Sequence, residues 1–234
     1  MTAHDDAHGD VHADVRADVH ADVRTRILDA AERLFYARGI QAVGMDELRT
    51  AAGVSLKRLY GTFPAKHDLV EAYLRRRDAR WRADLAVYVS ARGDAGAGTD
   101  TGAGVGAGAG AAVAADAGAG TPEDRIRAVF DWLAAWFAAP DFHGCAFINA
   151  YGELGHTAED VARATRDHKR ALHAYLTDLV RPLNHPTPTV LATQLALLVD
   201  GAITAAAISG DPTSAAPAAA AAQVLVGASA ASPS

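Results

Sequence analysis

The chain has 234 residues, half of them apolar, a formal net charge of −6 and a single cysteine. One thiol excludes a framework of internal disulfides, and the length allows a small head beside a larger domain with its own core. No stretch reads as a membrane span, because the Ala-rich run 215–232 is interrupted by Pro217 and Gln223. The first residues also lack a basic region followed by an apolar one, so a cytoplasmic protein with no membrane partner is expected.

The chain opens on a low-complexity stretch. Gly9-Asp10-Val11-His12 is followed by Ala13-Asp14-Val15-Arg16, Ala17-Asp18-Val19-His20 and Ala21-Asp22-Val23-Arg24, a period of four. So few tetrads cannot make a solenoid, and residues 1–20 are expected to be a disordered tail. Beyond it, Ile27, Ala30, Ala31, Leu34 and Phe35 recur at the spacing that lines one face of an α-helix. Gly39 supplies a left-handed cap to end that helix. Met45, Leu48 and Ala52 continue the apolar face through a second helix of about two turns, too short to persist unless packed on neighbours. Gly53 allows a tight reversal, Val54 pins it to the core, and Ser55 is a favourable N-cap for a third helix. In that third helix Leu59 and Phe63 face inward, leaving Leu56, Lys57, Arg58, Tyr60, Gly61 and Thr62 outside.

Three short helices joined by glycine turns, the last presenting cations outward, form a helix-turn-helix head over residues 21–68. Residues 24–84 hold thirteen Lys or Arg against eight Asp or Glu, a local charge of +5, so the remainder carries −11. The acidic total hides a basic head, and the local field is what a polyanion meets. The run Arg75-Arg76-Arg77 on a connecting helix over residues 69–90 reads first as a solvated face. An arm reaching the minor groove with Arg16 and Arg24 is an alternative for the tail, opposed by its many Asp residues.

These residues resemble a known family. The run from Gly53 to Val70, with Gly53-Val54-Ser55-Leu56-Lys57-Arg58-Leu59-Tyr60-Gly61-Thr62-Phe63 at its centre, is similar to the DNA-binding domain of the TetR (tetracycline repressor) family of bacterial regulators. Ala30-Ala31-Glu32-Arg33-Leu34-Phe35 and Gly39 match too, and the resemblance spans residues 24–74. It implies that Tyr60 and Lys66 contact backbone phosphate, that the exposed face of the third helix meets base edges, and that Gly44 and Met45 at the second helix start lie near the duplex. Arg can read guanine bidentately. Arg58, Thr62 and Gly44 depart from the family's usual hydroxyl, aromatic or His, and Thr or Ser, so the operator sequence does not transfer. The remainder matches more loosely, at Gly144-Cys145-Ala146-Phe147-Ile148-Asn149-Ala150 and from Gln194 to Ala202.

Residues 91–120 are almost all Gly, Ala, Thr and Asp, a composition that cannot offset the cost of ordering, and are expected to be a flexible insertion. The body over residues 121–228 reads as helical. Thr121-Pro122-Glu123-Asp124 is an N-cap with proline at the first helical position and acids in the first turn. That helix runs to about Ala138 and Pro140 ends it. A sixth helix spans Cys145–Gly152, and Thr157-Ala158-Glu159-Asp160 is a second capping-box match opening a long seventh helix that Pro182 stops. Residues 189–208 are apolar almost all round and need cover on more than one side. A ninth helix is expected from about Ser214 to Val226, with Pro217 in its first turn.

The fold class is therefore all-α: the helix-turn-helix domain plus a helical ligand-binding and dimerisation domain. Trp132, Trp136, Phe137, Phe147 and Tyr151, with Cys145, Asn149 and His173 as polar handles, are the candidate pocket for a small hydrophobic effector, though ordinary core packing explains each equally. The resemblance implies a homodimer through the last two helices, here Leu191, Leu195, Leu198, Ile203 and Val224, whose two-fold axis matches a palindromic operator in double-stranded DNA. A repressor released by its effector is the family's common mode. No cofactor is expected, nor an enzyme. The alternatives are a helical metal enzyme using Glu153-x-x-His156, which lacks a second such motif and is broken by Gly152 and Gly155, and a scaffold for protein partners. Cys145 reads first as a small buried hydrophobe and alternatively as a redox-sensing thiol.

Overall fold

The computed structural model describes residues 6–94 and 120–228, with side chains from residue 21 to 92 and from 120 onward. Among them are nine α-helices and no strand: α1 Asp6–Arg38, α2 Met45–Ala52, α3 Leu56–Thr62, α4 Lys66–Asp94, α5 Pro122–Phe137, α6 Ala146–Leu154, α7 Glu159–Val180, α8 Pro188–Ser209 and α9 Ala215–Gly227. The expected flexible insertion falls almost wholly outside the described residues. The all-α class expected above is what is found.

The chain divides into two compact units, one of Met1–Arg77 with Asn149–Ala164, the other of Asp78–Ile148 with Thr165–Ser234. In the first unit α1, α2 and α3 pack on one another, burying Ile27, Ala31, Phe35, Leu48, Leu59 and Phe63 to 3% exposure or less. α1 begins at Asp6. Residues 6–20, expected as a disordered tail, are its first turns, and no Gly or Pro between Asp10 and Arg38 interrupts it. Arg24 is thereby a helical residue rather than part of an arm, with its guanidinium 4.7 Å from the centre of the Phe63 ring. Gly39 sits at φ 87°, the left-handed cap expected of it, and Gly53 at φ 63° where the chain reverses after α2.

In the second unit α5 packs on α8 and α9, and α8 on α9. Thr121 caps α5 through a full capping box: its hydroxyl accepts from the Asp124 N–H at 3.2 Å, and the Asp124 carboxylate accepts from the Thr121 N–H at 3.0 Å. Thr157 does not make the second one. Its hydroxyl donates back to the Leu154 carbonyl at 3.3 Å and α7 starts two residues later, because the chain leaves α6 through a turn that offers Thr157 a nearer acceptor. α8 overturns the reading that no segment could cross a membrane: by length and composition it is long and apolar enough, with mean hydropathy 1.7. Its single ionisable residue, Asp200, is tied to Lys169 at 2.5 Å, and Leu191, Leu195, Val199 and Ile203 are buried within the unit.

Candidate nucleic-acid interface

α3 owes its orientation to three local features. The Gly53 N–H and the Val54 N–H close the end of α2 on the Thr50 and Arg49 carbonyls. Ser55 Oγ accepts from the Arg58 N–H at 3.2 Å, satisfying one donor of the first turn. Leu59 at 0% and Phe63 at 2% exposure then anchor the inner face. Ser55, Lys57, Arg58 and Gly61 lie exposed, as do Leu56 and Tyr60, both at 45%. Thr62 is partly buried and its hydroxyl donates to the Arg58 carbonyl at 2.9 Å, so the proton it would offer a phosphate is already used.

Gly44 caps α2 with extended backbone and no side-chain bond, and Met45 behind it is partly buried. Lys66 opens α4 with its ammonium 5.9 Å from the centre of the Phe35 ring. Partial burial lowers its pKa against the opposing pull of Glu153.

Not every cation of the head faces outward. Arg76 pairs with Asp29 at 2.8 Å and Glu32 at 2.9 Å. Arg77 bonds Glu32 at 3.3 Å and stacks 3.6 Å from the Tyr36 ring centre, and Arg75 pairs with Glu71 at 2.7 Å. Of the arginine run expected as a solvated face, Arg75 stays on the exposed side of α4, while Arg76 and Arg77 clamp α4 to α1. Lys57 and Arg58 of α3 are exposed cations.

Sequence reasoning missed Arg26, and it named Glu153 only within the disfavoured metal motif. The Arg26 guanidinium donates to the Gly53 carbonyl at 2.8 Å, bracing the turn before α3. Glu153 accepts from the N–H groups of Ile40 and Gln41 at 2.9 and 2.8 Å, and its carbonyl accepts from Gln41 Nε2 at 2.7 Å. Its carboxylate is therefore spent on the α1–α2 turn and not held for a metal, and no group of three potential ligands occurs among the described residues. A contact over more than a hundred residues of sequence leaves no local signal.

The predicted effector residues are divided between a packed aromatic cluster, the surroundings of His168 and the surface. Trp132 and Trp136 pack on Trp81, and Trp136, Phe137 and Phe142 pack on one another, with ring centres 5.0–6.1 Å apart in edge-to-face and tilted arrangements. Cys145 and Phe147 are buried beside His168, while Asn149 and Tyr151 are exposed. His173 bonds Thr193 at 3.0 Å. A cavity of about 350 Å³ lies between α4 and α7, lined by Trp81, Arg82, Leu85, Leu172 and Tyr175 with small alanines. Of the dimer candidates, Leu191, Leu195 and Ile203 are buried in their own unit at 2% exposure or less, so they are corrected to core residues; Leu198 is partly buried and Val224 is 73% exposed. On a helix apolar all round, periodicity cannot tell the inner face from the outer. The outer face of α8 is Val190, Leu197 and Ile208, the last two at 68% and 82% exposure.

Comparison with known proteins agrees with this geometry. The sequence profile described as "Bacterial regulatory proteins, tetR family" matches residues 27–73. An uncharacterised HTH-type transcriptional regulator of Mycobacterium tuberculosis is 42% identical over 65 residues, which cover 28% of this chain and 32% of that relative. The match thus spans about a third of the relative's length. A TetR-family transcriptional regulator of Streptomyces coelicolor superposes with TM-score 0.72 at 26% identity, covering 89% of this chain and 96% of its own. A TetR-type regulator of Streptomyces avermitilis gives 0.66 at 28%, covering 89% and 98%. The head, residues 27–73, is thus that of the TetR family of bacterial regulatory proteins, and the chain shares the fold of TetR-family regulators over nearly the whole length of both chains.

Proposed function

We propose that the chain is a sequence-specific transcriptional regulator that binds a palindromic operator as a homodimer and represses until a small hydrophobic effector releases it. The observation that carries the reading is the outer face of α3, where Lys57, Arg58 and Tyr60 stand exposed while Leu59 and Phe63 anchor the helix. Lysine and tyrosine reach phosphate oxygens and arginine can address a guanine edge. Selection of sites from random duplexes at a fixed salt concentration tests it, since affinity for DNA is salt-dependent. Enrichment of an inverted repeat is expected, and recovery of no sequence above background would contradict the reading.

Two finer parts follow from the body. The α4–α7 cavity falls in the size range of small-ligand pockets, apolar with Arg82 and Tyr175 as polar handles, so it replaces the aromatic cluster as the effector site we propose. Release requires an effector that binds one conformation better than the other; a ligand that occupies this cavity and leaves operator affinity unchanged would remove the mechanism. For the homodimer, the supporting feature is the apolar outer face of α8 with Val224 of α9.

A further inference from the structure

Six ionisable side chains from three helices and the loop before α6 join in one chain through the second unit. Asp200 of α8 accepts from the Lys169 ammonium at 2.5 Å, and that ammonium also lies 3.8 Å from the Cys145 Sγ. His168, the neighbour of Lys169 on α7, hydrogen-bonds the thiol on one side, and its Nδ1 is 2.7 Å from Asp78 Oδ1 of α4. Asp78 is held in turn by Arg82 at 2.7 Å. The imidazole is 3% exposed and cannot swing away, since Phe147 stacks flat on it with centres 3.8 Å apart and Trp81 meets it edge-on at 5.3 Å.

A carboxylate that orients an imidazole toward a sulfur is the arrangement that turns a thiol into a nucleophile. Burial alone would raise the thiol pKa, yet His168, Lys169 and the Ile148 N–H outweigh it and leave it below the ordinary value. Burial likewise opposes the imidazolium, and Asp78 and the thiol prevail to raise the His168 pKa. The chain has no second cysteine, so the sulfur has no internal resolving thiol, and chemistry ending in a disulfide within the chain is unavailable to it. A carbon electrophile needs none.

We propose that Cys145 is a covalent modification site for small α,β-unsaturated carbonyl compounds, with Lys169 and His168 assisting the addition. The sulfur lone pair forms a bond to the β-carbon. The carbon–carbon π pair shifts to give an enolate whose oxygen the Lys169 ammonium stabilises. His168 then gives its proton to the α-carbon, and nothing leaves. The product is a thioether heavier by one molecule of the electrophile. With Cys145 6% exposed and Lys169 26% exposed, the electrophile must be small and approach past the lysine.

Two measurements on the full chain test this, with Cys145→Ser as the blank. Thiolate ultraviolet absorbance followed against pH should show ionisation below the ordinary thiol value of about 8.5, moved upward in His168→Gln and Lys169→Met. Acrolein at neutral pH should add one equivalent to the folded protein at Cys145, slowed more than about tenfold in His168→Gln. Ionisation at or above the ordinary value, or a folded protein that stays unmodified while its urea-unfolded form reacts, would overturn the assignment.

Discussion

Asp78 and His168 tie α4 to α7 inside the second unit, and their protonation states set a pH dependence with a definite sign. The His168 pKa is raised, so the protonated pair stabilises the fold fully below the ordinary histidine value and loses that contribution as pH rises through the raised value. Asp78 is lowered to about 2, burial opposing and the His168 and Arg82 bonds prevailing, so its share is present above the ordinary carboxylate value and fades on acidification toward about 2. Asp78→Asn should cost about 1–3 kcal/mol by urea unfolding at mildly acidic pH. It should also flatten the fall in stability between acidic and alkaline sides of the histidine titration; an unchanged slope would show that the pair does not titrate as described. At Gly39 the same scale gives a steric prediction. A Cβ there would stand 3.0 Å from Glu153 Oε1 at φ 87°, so Gly39→Ala should lower stability by about 1 kcal/mol or more, measured by thermal unfolding.

Among elements, α3 shows how little sequence a reading head requires. Ser55 starts it, Leu59 and Phe63 hold it, and the remaining positions are released from packing. Arg58→Ala should therefore leave the thermal midpoint unchanged and weaken a selected operator by about 1–3 kcal/mol with relaxed base preference, a pattern read by gel shift and calorimetry together. Leu59→Ala should do the reverse, destabilising the head by about 2–5 kcal/mol. Loss of DNA affinity without any loss of stability in Leu59→Ala would contradict its place in the core. The helix punctuation was legible because caps and turns are local chemistry: Gly39, Gly53, Ser55, Thr121 and Pro217 each act within a few residues of where they stand. Thr157 failed for the same kind of reason, a nearer carbonyl competing for its hydroxyl.

For the whole molecule the open quantity is assembly. α8 is buried on one side by Leu191, Leu195 and Ile203 and leaves Leu197 and Ile208 in solvent. Leu197→Glu with Ile208→Glu should shift a dimer to monomer by light scattering while far-ultraviolet dichroism stays native. Leu191→Ala should instead lower stability by about 2–5 kcal/mol. Double-Glu protein that remains dimeric would place the interface elsewhere. The charge asymmetry belongs to this scale as well. Arg75, Arg76 and Arg77 are matched by Asp29, Glu32 and Glu71, so the net positive charge of the head rests on its other cations.

By itself the sequence determined the helical class, the ends of most helices and the outward face of α3, because each depends on side chains three or four positions apart or on a single backbone conformation. Tertiary structure alone decided which side of α8 is covered, where the cavity lies and what Glu153, Arg76 and Cys145 touch. Those outcomes rest on partners brought together from distant stretches of chain. Composition and period carry no information about such pairings, since an apolar helix can bury either face and a carboxylate can serve a backbone amide as well as a metal.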